Sequence, residues 1–594
     1  MSAVVFKILA SSNGAVRVGV SILVKRVLLV AAENGALQGA KVGGMADVIR
    51  DLPPALAQVE VVADIIMPSY GFLAADHHAT LRAKVSVHFN GVSHQVDVYQ
   101  MDNPGLLTPE SNGAPLAVTP QIYLIEHPLL QNAQRSIYSD GSADRPFAED
   151  ASKFAFFSTC VATVLVEDVI PRPDILHLHD WHTGILAMLR AMAPSFAQLQ
   201  SLPCVFSIHN LALQGVRPVS HEASSFEAWF PGFFATLSQE AKLQICDARY
   251  PSCINPMQMG IVLSQKVHLV SPSYAKEVLL PSNHQAGFFG GEGLETYLQD
   301  KASRGDLVGI LNGCFYDESN AADVVTSVEP VMTQSPLPCV LEAAETALAA
   351  WFAKAGPTRN VDNLALLRIQ QQLRIQQQLR TQQGLSEQAN WQAKPTEHNA
   401  RLLLTSVGRL TDQKVLILRQ RVEEGCYAGI SVLEAMLMLL AEKVPNGLFV
   451  LLGSGDEAIA REFQTIAAKW GNFLFLNGYH EALSHSLYQH GSLFLMPSSF
   501  EPCGISQMLA MREGQPCLVH GVGGLKDTVI DGKSGFVFQG ADLAAQALAM
   551  LTALEKACLL YQTPKWKTLI DHAKQQRFSW HHAAKAYATE LYSL

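Results

Sequence analysis

The stretch LFLMPSSFEPCGISQMLAMREG, residues 493–514, continued by PCLVHGVGGL at 516–525, decides the fold. LFLMP (493–497) is a short uninterrupted apolar run, as expected of a strand buried on both faces in a parallel sheet. It ends in Ser498-Ser499 and runs into Phe-Glu-Pro-Cys-Gly. The carboxylate of Glu501 is thereby set at the carboxyl end of a strand, where open α/β sheets keep their ligands. The helix that follows offers free N–H groups to an anion. Pro516 opens a second apolar run, closed by Gly521, Gly523 and Gly524, where backbone can approach a phosphate closely. One acid and two anion-friendly turns point to a charged, polyhydroxylated ligand.

Upstream, the same pattern recurs from Arg401. RLLLTSV (401–407) leads to GRLTDQK, GLFVLLGSGDE follows at 447–457, and FLFLNGY at 473–479. Strands that each end in Gly, Ser, Asp or a charged residue, with helical stretches between them, make a doubly wound α/β domain. Arg409 and Lys414 fall just past its first strand. Two cations there suit a diphosphate, Arg as a bidentate fork and Lys as a point charge; a solvated loop is the plainer alternative.

The amino-terminal half repeats the theme. An apolar strand at 27–31 enters the Gly-rich loop of VLLVAAENGALQGAKVGGMADVIRDLPPAL, and a helix is expected from about Ala46. Lys41 beside Gly43-Gly44 is placed to neutralise a phosphate, with Asp47 one turn further on. The alternative is a surface Lys and a helix-start Asp at the favourable end of the dipole. Apolar runs at 59–67, 121–125, 174–178, 203–208 and 266–270 complete a parallel sheet. Two of them end in polar clusters, HLHDWH (177–182) and His209-Asn210. His177, His179, His182 and Asp180 admit a zinc reading or a structural one, with imidazoles bonded to backbone. His177 and His179 alternate along a strand and no distant partner has ligand spacing, so no metal is expected.

Bulk properties narrow the function. A chain of 594 residues with 48% hydrophobic residues has material for two large domains. Its formal charge, 43 − 53 = −10, argues against a nucleic-acid-binding surface. Ten cysteines without a C-x-x-C pair read as reduced thiols of a cytoplasmic protein. No window nears ~18 uninterrupted apolar residues, so no membrane span is expected. VGVSILV (18–24) has the look of a signal-peptide core, but no small-residue cleavage site follows, and residues 1–25 read as an N-terminal extension. Residues 321–400 change character and contain LRIQQQLRIQQQLRTQQ (367–383), a near-perfect six-residue repeat. It is expected as an exposed helix in an insertion or linker, since a period of six holds no single face.

Taken together these motifs resemble the bacterial glycogen/starch synthases, retaining glycosyltransferases of the two-Rossmann-domain (GT-B) architecture. The family's K-T-G-G-L-A-D is matched by KVGGMAD (41–47), H-x-H-D-W-H by HLHDWH, and T-V-H-N-L-A-Y-Q-G by SIHNLALQG (207–215). V-S-P-T-Y-A-x-E is matched by VSPSYAKE (270–277), S-R-L-T-x-Q-K by GRLTDQK, and G-I-L-N-G is intact at 309–313. F-E-P-C-G-L-T-Q is FEPCGISQ (500–507), T-G-G-L-x-D-T-V is VGGLKDTV (522–529), and F-S-W is Phe578-Ser579-Trp580. The matches keep family order from residue 26 onward, apart from the insertion.

The resemblance implies two Rossmann-like domains facing across a cleft, 26–320 and 401–575, with a C-terminal helix at 576–594. It implies transfer of glucose from ADP-glucose to the non-reducing end of an α-1,4-glucan with retention of configuration. No cofactor, nucleic acid or membrane is called for. Arg409 and Lys414 would neutralise the diphosphate, helped by Lys41 with Gly43 and Gly44, and by the amides of Gly523 and Gly524. Glu501 and His179 would hold the donor glucose, Asp47 would orient the site and Asn210 would line it. Several positions depart from the pattern: Val42, Gly408, Val415 and Ser499 replace Thr, Ser, Gly and Arg. NGCF (312–315) lacks the family's Asp, displaced at best to Asp317, and EDASKFA (149–155) leaves Glu149 as its nearest stand-in for another. A glucan-binding relative without catalysis, or a GT-B transferase with another donor, are the alternatives.

Overall fold

Apolar runs ending in polar turns build two sheets in the computed structural model, which describes residues 4–9, 17–22, 25–106, 119–132, 135–139, 145, 147–316, 336–355, 359–382 and 401–594. The chain forms two compact units, 1–270 with 291–313 and 579–594, and 271–290 with 314–578.

In the first unit, β1 (Val4–Leu9) and β2 (Arg17–Ile22) pair as an antiparallel hairpin. The main strands are β3 (Lys25–Val30), β4 (Val61–Pro68), β5 (Thr80–Phe89), β6 (Val92–Asp102), β7 (Gln121–Glu126), β8 (Ile175–His179) and β9 (Cys204–Ile208). A two-residue pair follows, β10 (Arg217–Pro218) and β11 (Cys253–Ile254), then β12 (Lys266–Leu269) and β13 (Leu307–Gly309). Nine of these form one sheet in the order β13-β12-β9-β8-β3-β4-β7-β6-β5. It is parallel except where β6 and β5 add an antiparallel edge. From β3 the chain builds first towards β4 and later returns on the other side through β8. That switch point opens a crevice at the carboxyl ends of β3 and β8.

The second unit carries β14 (Leu403–Val407), β15 (Leu448–Leu452), β16 (Phe473–Leu476), β17 (Leu493–Met496), β18 (Cys517–His520) and β19 (Gly535–Phe538). Their order, β16-β15-β14-β17-β18-β19, is fully parallel. It is the doubly wound order with its switch point between β14 and β17. GRLTDQK follows β14 and SSFEPCG follows β17, so this topology alone brings Arg409, Lys414 and Glu501 to one crevice.

Three expected boundaries shift. Residues 271–290 lie with the second unit because their polar side chains bond to its loops, as described below. Residues 579–594 return to the first unit, where Trp580, Tyr587, Leu591 and Tyr592 are buried and the Tyr592 hydroxyl shares a 2.7 Å hydrogen bond with His177 Nδ1. The described part of the expected insertion is core. Helix Pro336–Ala355 buries Leu337, Val340, Leu341, Ala344, Ala347 and Leu348 on one stripe against β14, β15 and β16.

The glutamine-rich helix, Asn360–Gln382, buries Val361, Ala365 and Ile369 in the same unit. Six residues advance a helix by roughly 240° beyond a full turn. Equivalent repeat positions therefore differ: Leu367 is 62% exposed whereas Leu373 packs partly against the core. Arg368 donates to the carbonyls of Ala467 and Ala468 at 2.8 and 3.0 Å, capping the helix Glu457–Lys469. Gln372 donates to the Gly471 carbonyl at 2.9 Å. These polar side chains are hydrogen-bonded structure, not a solvated face.

One helix among the described residues, Leu543–Leu560, is long and apolar enough to cross a membrane. It instead packs Ala547, Met550, Leu551, Leu554 and Ala557 into the core of the second unit.

The core role of the repeat helix sets an expected outcome. Ile369→Ala should lower the stability of the chain by about 2–4 kcal/mol, whereas Leu367→Ala should change it by less than about 0.5 kcal/mol. Urea unfolding checks both, and an unshifted midpoint for Ile369→Ala would return the helix to the surface.

Candidate functional site

The amino-terminal switch point gathers Lys41, Asp47 and His179, each by a different device. β3 runs into the loop 31–43, and the helix Gly44–Ala57 starts two residues earlier than expected. Lys41 Nζ lies 2.6 Å from Asp47 Oδ1, and Arg50 reaches the same oxygen at 3.1 Å. Asp47 thus holds Lys41 over the helix start, where its own charge suits the dipole. The amides expected to face a phosphate are not all free. Buried Glu33 accepts from the N–H groups of Val42 and Gly43 at 2.8 and 2.6 Å, and from Tyr138 Oη at 2.7 Å. Gly44 has open space where a Cβ would lie, so this residue leaves room for close approach.

His177 and His179 are fully buried at the end of β8, their rings stacked 4.3 Å apart. His177 is satisfied, sharing hydrogen bonds with Ser207 Oγ at 2.6 Å and Tyr592 Oη. His179 Nδ1 lies 3.0 Å from His209 Nε2, while His179 Nε2 is buried without a partner. Burial, then the neighbouring His177 and His209, holds His179 well below its usual range, so it is neutral. Burial likewise pushes His209 and His182 down to about 3.

Asp180 follows in a left-handed conformation, φ 56°, a strained placement of the kind found at ligand sites. Burial pushes it up to about 7 against the N–H groups of His209 and Asn210, which donate to Oδ1 at 2.7 and 3.3 Å. Asn210 uses its own side-chain oxygen to accept from Ala212 N at 3.0 Å. Nearby, Asp150 and Lys153 form a buried pair at 2.7 Å, and in EDASKFA both acids hold Ser139, Asp150 through its N–H and Glu149 through its hydroxyl. Among the described residues no group of His, Cys, Asp and Glu is placed to hold a metal. Asp317 lies outside the described residues.

At the carboxyl-terminal switch point Glu501 is buried and ion-paired to Lys414, and it accepts from Ser498 Oγ at 2.9 Å. The two loops are stitched together. Ser499 N–H donates to the Gln413 carbonyl at 2.9 Å and Gln413 Nε2 to the Phe500 carbonyl at 3.1 Å. Arg409 is exposed and pairs with no described residue, which leaves its guanidinium for an anion. The departure at Gly408 is harmless to packing, since nothing lies within 4 Å of where a Cβ would be.

Gly523 and Gly524, expected to meet a phosphate, make close backbone contacts here. A Cβ on Gly523 would lie 1.9 Å from the Glu501 carbonyl oxygen, and one on Gly524 2.1 Å from that of Cys503. Gly523, at φ +44°, donates its N–H to the Glu277 carboxylate, and Gly524 donates to the Glu501 carbonyl at 3.1 Å. The Gly524 amide ties this turn to the Glu501 loop, and the Gly523 amide ties it to Glu277. Glu33 was missed from the sequence because a lone Glu past a strand end carries no pattern; Glu277 closes the VSPSYAKE motif, but only its contacts show what it holds.

Known proteins match the chain along most of its length. The family described as starch synthase catalytic domain matches residues 26–300, and that described as glycosyl transferases group 1 matches 388–575. A glycogen synthase of Gloeobacter violaceus is 31% identical over 96% of this chain and 98% of its own length. Glycogen synthase 2 of Geobacter sulfurreducens is 29% identical over 95% and 98%. Among solved structures, the catalytic domain of starch synthase IV from Arabidopsis thaliana, bound to ADP and acarbose, superposes with a TM-score of 0.66. It is 26% identical and covers 96% of this chain and 98% of that one. Two doubly wound units, matched end to end by such relatives, make this chain a GT-B glycosyltransferase that belongs to the glycogen/starch synthase family.

Proposed function

We propose that the chain transfers glucose from ADP-glucose to the non-reducing end of an α-1,4-glucan with retention of configuration. The observation that carries this reading is the buried Glu501 carboxylate, fixed by Lys414 and Ser498 at the switch point of the second unit. A carboxylate so held is an acceptor for sugar hydroxyls, and its pairing with Lys414 suits it poorly to act as a general acid. Arg409, exposed past the end of β14, meets the diphosphate, and Lys414, paired to Glu501, adds its charge. Stabilising the departing diphosphate is the largest service such cations render, and it calls on no cofactor. In the first unit the unpartnered Nε2 of neutral His179 takes a hydroxyl of the donor glucose. Lys41, steered by Asp47, supplies a further positive charge; the backbone of Gly44 gives close approach, and Asn210 lines the wall. Of the glycines, Gly43, Gly523 and Gly524 contribute by shaping loops. Ten cysteines, none in a disulfide, fit a cytoplasmic setting.

Glycogen incubated with ADP-glucose or UDP-glucose should gain labelled glucose, faster from ADP-glucose; the absence of transfer from either donor would favour a glucan-binding protein without catalysis. Lys414→Ala should lower kcat/KM by roughly 10²–10³-fold, because it removes a cation and strands a buried carboxylate. Arg409→Ala should act mainly on the KM for the donor. His179→Ala should lower kcat/KM about tenfold or more by deleting one sugar contact, measured as initial rates on a glycogen primer.

A further inference from the structure

The segment 271–290 is chained to the first unit in sequence but bonded to the second. Its short helix, Pro272–Glu277, makes three separate polar attachments. Ser271 Oγ donates to the Pro502 carbonyl oxygen at 2.5 Å. The Asp527 carboxylate accepts from Ser273 N–H at 2.8 Å and from Ser273 Oγ at 2.6 Å. The Glu277 carboxylate accepts from Gly523 N–H through both oxygens, at 2.9 and 3.1 Å. Apolar contact supports them: the rings of Tyr274 and Phe289 lie 5.5 and 5.7 Å from that of Phe500. Every attachment lands on a neighbour of Glu501 or on the turn packed against it.

We propose that this segment is a brace for Glu501, with Ser271, Ser273 and Glu277 as positioning residues that fix its loop through Pro502 and the Gly523-Gly524 turn. The inference rests on the reading in which Glu501 holds the donor sugar. Glu501 has its side chain tied to Lys414 and Ser498 and its carbonyl to Gly524; the brace fixes the two backbones that carry those ties. A displacement of about 1 Å in a sugar-holding group is enough to lower turnover strongly.

Glu277 also lines a pocket of about 630 Å³ with Asn283, Phe288, His520, Gln539 and Gln546, so solvent reaches it. Burial raises its carboxyl to about 7, opposed by Gly523 N–H and Lys526 and reinforced by Asp527. Of the charged and titratable groups around it, Lys526 and Asp527 come from the glycine-turn helix, His520 from the end of β18, and Lys276 from its own helix. A carboxyl raised in the folded state adds stability that is complete below its unfolded value of 4.5 and lost as pH rises to about 7. Wild type should therefore lose stability relative to Glu277→Gln across that window and run parallel to it above.

Hydrogen–deuterium exchange on the full chain tests the brace without assuming the activity. In Glu277→Ala the amides of 498–507 and 521–526 should exchange about tenfold faster. In Glu277→Gln, whose amide oxygen still accepts from Gly523, they should stay within about threefold of wild type. On glycogen, Glu277→Ala should lose about tenfold in kcat with the smaller part of its effect on KM, and Glu277→Gln should restore most of it. Ser271→Ala and Ser273→Ala give milder versions where Glu277→Ala does not fold. Unchanged exchange in these variants, or a lowered Tm with exchange and kcat unaltered, would overturn the brace. A wild type that transfers no glucose overturns the functional reading instead, and exchange still decides the brace.

Discussion

The carbonyl oxygens of Glu501 and Cys503 lie where side chains at 523 and 524 would begin. This close approach of two backbones is the contact on which the carboxyl-terminal site depends. It lets the turn after β18 support the loop after β17 from beneath, and it allows Gly524 to bond the very carbonyl of Glu501. No side-chain contact could hold the loop as near, because any Cβ would push the two strands' exits apart. The glycines that looked like phosphate binders in the sequence are the reason the carboxylate has a fixed address.

The two switch points solve their electrostatics in opposite ways. In the second unit a carboxylate is buried with its counter-ion, Lys414, a pairing that offsets much of the cost of taking both from water. In the first, the buried groups shed charge: His179, His182 and His209 stay neutral, and Asp180 holds its proton up to about 7. Neutral imidazoles and a paired carboxylate both suit hydroxyl groups, whereas the exposed cations Lys41 and Arg409 are the groups suited to an anion.

Much of this was legible in the residues. Runs such as LFLMP and HLHDWH announce strands whose exits carry chemistry, and parallel-sheet topology does the rest, gathering Arg409, Lys414 and Glu501 from loops about 90 positions apart. What escaped reading had a different signal or none. The β5 strand, TLRAKVSVHF (80–89), alternates polar and apolar as a half-buried strand does, and so shows no apolar run. The glutamine-rich repeat looked solvated because composition hides the few positions, Ile369 and Gln372, on which the helix turns inward. Glu33 and Glu277 matter through partners in other segments, and a single sequence does not print those distances.

The Tyr592 hydroxyl closes the hydrogen-bond set of His177, in the middle of a strand made some 415 positions earlier. Synthesis from the amino end therefore leaves the nine-stranded sheet with an open polar seam beneath β8 until the final helix is delivered. The second unit closes on itself with segments that are all in hand by Phe578. The order of completion thus departs from the order along the chain: the unit that holds β3 and β8 is closed only after residues 314–578 of the other have been made, and its stacked histidines reach their described surroundings only then.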